Sequence, residues 1–195
     1  MLSVIIATDQ SERLLLPTLA ALVPGSVEGV VREVIVADGG SEDATAEIAD
    51  AAGCRYIVAR TPLGSRLRAA AASARANWLL FLPPGAVLEP SWIDDAKLFI
   101  QQCELSGRVD QRAAVFRAAS DRGAERPALA DALAMLAAAL GLRGHPARGL
   151  LISKRLYEQL GSHRDESPRP EQDLLRRLGR RRITALRSSA IMASG

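Results

Sequence analysis

The chain is poor in the residues that build metal centres and disulfide frameworks. Its 195 residues include two cysteines, Cys54 and Cys103, far apart and outside any C-x-x-C spacing. That pattern suits neither a zinc site nor a disulfide scaffold, and it reads as reduced structural thiols. Histidine is equally scarce: His145 and His163 are the only two, which excludes a His-rich metal site. Long apolar runs are also missing. The longest, Ala128 to Leu142, contains Asp131 and falls short of the ~20 residues that a bilayer span needs. Met1 to Ala7 is apolar but has no basic start and is cut short by Asp9, so it does not read as a signal peptide. A soluble, cytoplasmic protein is the expectation. Charge of one sign is not in large excess either. A net charge of +3 gives no support for nucleic-acid binding.

What is present is an ordinary globular composition, 48% apolar, in a length that suits one domain with a substantial core. Leu2 to Ala7 reads as a buried strand. A helix follows, with Ser11 able to cap it and Leu14, Leu15, Leu19 and Leu22 as its inner face. Pro17 predicts a kink or a late start, and Pro24-Gly25 a stop. Further strands are expected at Glu33 to Ala37, Arg55 to Ala59 and Trp78 to Leu82. Helices are expected from about Asp43 to Ala52, closed by Gly53, and from Gly64 to Ala76. This alternation is the signature of a parallel α/β sheet. The rhythm then changes. Helices are predicted at 90–101, 127–142, 153–160 and 171–178, and strands at 113–118, 149–153 and 182–186. Gly161 to Pro170 reads as an exposed loop. There is no internal repeat and no low-complexity linker.

Four pieces stand in a telling order: LSVIIATDQSERLLLPTLAAL, VREVIVADGGSEDATAEIADAAG, WLLFL with PSW behind it, and SKRLYEQLG followed by PEQDLLRRLGRR. The second is the most specific, with Asp38, Gly39, Gly40, Ser41, Asp43 and Thr45 matching an acidic residue, a Gly/Ser turn and D-x-T. Together they resemble the family 2 glycosyltransferases of the GT-A fold. The resemblance implies an α/β fold: a GT-A-like, Rossmann-like, mostly parallel sheet flanked by helices in a single domain. Residues 1–102 would form the nucleotide-binding half and 103–195 the acceptor-side half. It also implies transfer of a sugar from a UDP- or GDP-linked donor to an acceptor hydroxyl. The nucleotide would rest against Asp9, Asp38 and Gly39, at strand ends where open α/β sheets bind ligands. Gly64, Arg66 and Arg68 would lie near the diphosphate. Read without the resemblance, Asp38 to Ser41 is a turn that caps the next helix, and Arg66, Arg68 and Arg75 form a solvated helix face.

The chain departs from the family in three places. The family places a D-x-D motif after the strand corresponding to Trp78–Leu82, where its acids hold Mg²⁺ or Mn²⁺ against the diphosphate. Here Pro83, Pro84 and Gly85 stand there and offer no carboxylate. Glu89 is the acid nearest the turn, and Asp94 and Asp95 lie on the next helix. An arginine-stabilised, metal-free leaving group is the alternative, because guanidinium binds phosphate bidentately. Asn and Gly near the donor are replaced by Arg68 and Ala70, and an acid–Gln pair before Gly149 by Ala147 and Arg148. One catalytic position survives: Glu171, in PEQDL, aligns with the general base of inverting members. Acids in a first turn also offset the helix dipole, which is the structural reading of the same residue.

Two features remain open. Arg176, Arg177, Arg180, Arg181, Arg182 and Arg187 could meet an anionic membrane face or a lipid-linked acceptor, or form a solvated face. Ala128 to Leu142 reads as core or as a homodimer contact. A catalytically inactive member serving as a binding or regulatory module is the rival to an active transferase. A nucleotidyltransferase ranks last, since Ala7 to Ser11 lacks the Gly-rich basic loop of that class.

Overall fold

The computed structural model describes residues 1–118 and 149–193. β1 (Leu2–Thr8), α1 (Glu12–Val27), β2 (Val31–Asp38), α2 (Thr45–Ala51), β3 (Arg55–Val58), α3 (Leu63–Ser73) and β4 (Trp78–Leu82) follow the predicted alternation. β5 (Ala86–Leu88), α4 (Trp92–Leu105), β6 (Ala113–Ala118), β7 (Leu150–Ser153), α5 (Lys154–Gln159), α6 (Pro170–Leu178), a 3-10 turn at Arg180–Arg182 and β8 (Ile183–Met192) complete the described chain. The helix expected at 127–142 and the substituted pair Ala147 and Arg148 lie outside the described residues.

The eight strands among the described residues join one sheet in the order β3-β2-β1-β4-β7-β6-β8-β5. The first four are parallel to one another, with Thr8 of β1 level with Asp38 of β2. Beyond β4 the sheet is mixed: β7 runs antiparallel to β4 and β6, β8 runs parallel to β6, and β5 antiparallel to β8. The chain leaves β1 to one side for β2 and returns on the other side as β4. The crevice outside the carboxyl ends of β1, β2 and β4 is therefore a topological switch point.

Strand alternation divides the core between the two faces. Val4 and Ile6 of β1 and Leu80 and Leu82 of β4 pack with Leu15, Leu19 and Leu22 of α1 and with Trp92, Phe99 and Ile100 of α4. Ile5, Leu79 and Phe81 face the other way, onto Leu67 and Ala71 of α3, Leu156 and Tyr157 of α5, and Leu174 of α6. All three helices that position the candidate site thus press on one face.

Two expectations are corrected in α1. The helix runs unbroken through Pro17 and past Pro24-Gly25 to Val27. The prolines remove the bonds to the carbonyls of Arg13 and Ala20, and both of those residues are exposed, so water can take the freed acceptors. Ser11 does not cap with its side chain. Its hydroxyl turns back, accepting from the Asp9 N–H and donating to the Asp9 carbonyl. Two further differences are long-range. β5 had no signal in the sequence, and β8 runs ten residues rather than five. Carboxylates account for part of that length: Glu89 accepts from the Ser189 N–H at 2.9 Å and Asp95 from the Ser188 N–H at 2.6 Å.

Gly25 is where α1 meets α4. A Cβ there would stand 2.6 Å from Cζ2 of the buried Trp92 ring. Overpacking costs about 1–3 kcal/mol, against about 1 kcal/mol gained in helix propensity. Gly25→Ala should therefore lower the urea midpoint of unfolding. A midpoint at or above that of the unaltered protein would show that Trp92 shifts freely.

Candidate functional site

The crevice is organised by Asp38, whose side chain is fully buried at the end of β2. Oδ1 accepts from the Thr8 hydroxyl at 2.7 Å and the Ser41 hydroxyl at 2.6 Å, and Oδ2 from the N–H groups of Gly40 at 2.7 Å and Ser41 at 2.6 Å. Burial pushes the carboxyl up, but the bonds from Ser41, Thr8 and Gly40 outweigh it and hold the pKa at about 2. Four donors fill the acceptor capacity of a carboxylate. The lone pairs of Asp38 are thus given to the chain itself.

The loops after β1 and β2 are bound to one another through the same region. The Gln10 N–H donates to Ser41 Oγ, Ser11 N–H to Thr45 Oγ1, Glu12 N–H to Asp43 Oδ2, and Ala44 N–H to Glu12 Oε2. Gln10 takes a positive φ of 48° to do so. D-x-T is used within this clamp: Asp43 Oδ1 accepts from both the N–H and the hydroxyl of Thr45.

Two arginines lie over the paired glycines. Arg66 of α3 donates through Nη1 to the carbonyls of Thr8 at 2.6 Å and Ala37 at 3.2 Å, at the very ends of β1 and β2. A Cβ on Gly39 would stand 3.0 Å from that nitrogen and 3.3 Å from the Asp9 carboxyl carbon. A Cβ on Gly40 would meet Arg60 Nε at 2.8 Å. The structure thus brings Asp9, Asp38, Gly39 and Arg66 together, and adds Thr8 and Arg60, which sequence reasoning missed. Thr8 could have been found as the strand-end hydroxyl before Asp9. Arg60 carried no signal, because only the fold sets the loop after β3 over the glycine turn.

Gly64 and Arg68 face elsewhere. A Cβ on Gly64 would stand 2.3 Å from the Arg164 carbonyl oxygen. Arg68 donates to the His163 carbonyl and forms an ion pair with Asp165 at 2.8 Å. Both residues therefore tie the 161–169 segment to α3; it is the loop expected, exposed at 161, 164, 166, 168 and 169, with His163 as its buried anchor. His163 is 1% exposed within that segment. Its Nδ1 pairs with the Tyr157 hydroxyl at 2.9 Å, and its ring packs edge-on against Phe81. Burial, with Arg177 nearby, lowers its pKa to about 4. Arg177 donates to the carbonyls of Leu160 and Ser162 and pairs with Asp173, so this member of the basic cluster is committed. Arg176, Arg180, Arg181, Arg182 and Arg187 are exposed.

Glu171 and Pro83 line the same small cavity, together with Phe81, Gly149, Leu150, His163 and Leu175. Its volume of about 20 Å³ admits roughly one water. Glu171 is open to solvent at the mouth of this concavity while protein crowds it from behind, and that desolvation raises its carboxyl pKa. The divalent metal implied by the resemblance does not fit here. Pro83, Pro84 and Gly85 bring no ligand, and no group of three or more His, Cys, Asp or Glu comes together among the described residues. Glu89 and Asp95 are bonded to the β8 backbone.

Two outcomes follow from this geometry. Asp38→Asn would set an amide donor against the Gly40 and Ser41 N–H groups and should cost on the order of 3 kcal/mol in urea unfolding. His163 refuses a proton until about pH 4, whereas an unfolded histidine accepts one near pH 6.5. Stability should therefore fall from pH 6.5 to 4, by on the order of 3 kcal/mol from this group. His163→Phe keeps the packing on Phe81 and should flatten that part of the profile; an unchanged slope would place the titration elsewhere.

Comparison with known proteins agrees with this architecture. Among solved structures, S. aureus TarS 1-349 superposes with a TM-score of 0.72 at 16% identity, covering 98% of this chain and 60% of that one. Glucosyl-3-phosphoglycerate synthase from Mycobacterium tuberculosis gives 0.66 at 21% identity, covering 95% and 69%. The chain thus spans well under the full length of the TarS fragment. The TarS fragment has been crystallised with UDP-GlcNAc, and the synthase with Mn²⁺ and UDP-glucose. No curated protein matches by sequence. The family model described as Glycosyl transferase family 2 matches residues 3–160, most of the chain, and the chain belongs to that family.

Proposed function

We propose that the chain transfers a sugar from a nucleotide sugar to an acceptor hydroxyl, with residues 1–102 serving the donor and 103–195 the acceptor. The observation that carries this reading is the convergence at one end of one sheet face. The β1 and β2 turns and Arg66 stand at the carboxyl ends of β1 and β2, and Pro83, which follows the parallel β4, shares a small cavity with Glu171 at the start of α6. UDP-linked donors are favoured over GDP-linked ones because the similar structures hold UDP-GlcNAc and UDP-glucose. The nucleotide rests against Asp9, which is exposed and whose carboxylate has no hydrogen-bond or ion-pair partner among the described residues. Asp38 and Gly39 shape the turn beneath it. Arg66 lies near the diphosphate, while Gly64 and Arg68 act through the segment they hold.

Glu171 takes the proton from the acceptor hydroxyl. The acceptor oxygen forms its bond to the anomeric carbon as the bond from that carbon to the phosphate oxygen breaks, and the nucleoside diphosphate leaves with the electron pair. A pKa raised by burial makes Glu171 a stronger base. A phosphate-bearing or lipid-linked acceptor fits the exposed arginines at 176, 180, 181, 182 and 187, and would place a cytoplasmic protein at an anionic membrane face. No described helix is long and apolar enough to cross a membrane. The homodimer reading of 128–142 lies outside the described residues.

A second reading has its own support. Pro83-Pro84-Gly85 removes the acids that hold the metal in the family, which suits a member that binds its ligand without turning it over. UDP release from UDP-glucose and UDP-GlcNAc separates the two. The expected result is release by the unaltered protein, falling about 100-fold in Glu171→Gln with UDP affinity preserved. Donor binding without release in any protein would favour the binding module.

A further inference from the structure

We infer that this chain holds its nucleoside diphosphate without a divalent cation, the guanidinium groups of Arg66 and Arg60 supplying the counter-charge. The inference rests on reading the crevice as the donor site. It begins from the segment after β4, which is locked as well as lacking acids. The Gly85 N–H donates to the Leu14 carbonyl at 2.9 Å and lies 2.8 Å from Thr18 Oγ1, and its carbonyl accepts from the Ala193 N–H at 2.8 Å. Gly85 has a φ of 89°, and a Cβ there would meet Leu14 Cδ2 at 3.2 Å. The turn cannot swing to present other ligands without breaking α1 and β8 contacts at once.

The nearby carboxylates are already used. Asp38 has its four donors, Glu89 holds Ser189, and Asp95 holds Ser188. Asp9 and Glu42 are the exposed acids beside the glycine turn, Glu42 already facing Arg60, and one carboxylate plus phosphate oxygens can suffice for Mg²⁺. Yet Asp9 and Arg66 converge on the same point above Gly39, 3.3 Å and 3.0 Å from it. A dication bound by Asp9 would stand against a guanidinium, and like charges so close repel. The cation's place is taken by the arginine.

The two arginines are suited to that role. Arg66 spends one nitrogen, Nη1, on the Thr8 and Ala37 carbonyls, so its group is fixed before any ligand arrives and needs no reorganisation. Arg60 lies over Gly40, and its acidic partner Glu42 is 3.8 Å away with both side chains exposed, a weak tie that phosphate can displace. Together they carry the same formal charge as one Mg²⁺ or Mn²⁺. The adjacent glycines at 39 and 40 are the positions whose lack of a side chain lets both guanidinium groups approach the turn.

The test is calorimetric titration of the full chain with UDP and with uridine, in EDTA and in MnCl₂. UDP should bind with an affinity that changes by less than about threefold between the two conditions. Arg66→Gln and Arg60→Gln should each weaken UDP about tenfold in EDTA, with uridine affinity unchanged. Arg66 also holds two strand-end carbonyls, so the surface variant Arg60→Gln, checked by circular dichroism, keeps the test independent of folding. UDP binding that Mn²⁺ strengthens more than about tenfold would overturn the inference and leave the donor-site reading standing. Variants that bind UDP like the unaltered protein in EDTA would overturn it as well. Failure of UDP to bind under either condition would overturn both.

Discussion

Asp38 ends β2 with a buried carboxylate and four donors around it, and the rest of the crevice inherits its shape from that arrangement. The bond from Thr8 ties the end of β1 to the end of β2. The bonds from Gly40 and Ser41 close the turn, and a closed turn sets Ser41 where Gln10 can bind it. Once the two loops are joined, Asp9, Gly39 and the strand-end carbonyls are fixed relative to one another. Arg66 can then reach two of those carbonyls from a different helix. A charged hub of this kind is strong because it is completely satisfied; a partly satisfied one in the same burial would be costly.

This accounts for what the sequence could and could not show. β1 and β4 were legible because strands buried on both faces read as continuous apolar runs, and LSVIIAT and WLLFL are such runs. The turn after β2 was legible because its residue types have few other uses in that order. What escaped was non-local. β5 is three residues long and exists because β8 pairs with it. The length of β8 depends on Glu89 and Asp95, about a hundred residues away in sequence. The 161–169 segment is the polar loop it looked to be, but its histidine is buried, satisfied by Tyr157 and packed on Phe81. No local pattern announces such a partner. The helix through Pro17 and Pro24 persisted because the lost bonds fell on its wet side.

The same contrast bears on how much function the motif carries. Asp38, Gly40, Ser41, Asp43 and Thr45 are each explained by bonds inside the turn, so their presence would be required of the fold whether or not a nucleotide binds. Asp9 and Glu171 are different. Asp9 supports no described contact with its carboxylate, and the Glu171 carboxylate makes no described hydrogen bond or ion pair while the protein behind it raises its pKa. Residues that the fold does not need are the better pointers to chemistry. By that measure the functional signal lies at the edges of the matched motifs rather than in their centres.

The loss of acids after β4 also changes the demands on Glu171. In a site with carboxylates at the positions of Pro83 and Gly85, an unmetallated state would set like charges near the base and push its pKa up sharply. Here the neighbours are proline, glycine and aromatic carbon, so desolvation alone raises it. A base with that environment gains basicity from the cavity wall and is spared the penalty of nearby anions when no metal is bound. On the proposed reading, a turn without acids withholds one means of stabilising the leaving group and leaves the environment of the proposed base unchanged. The proposed reaction then divides into two halves, and the arginines over the glycine turn are the groups proposed for the half that a metal would otherwise supply.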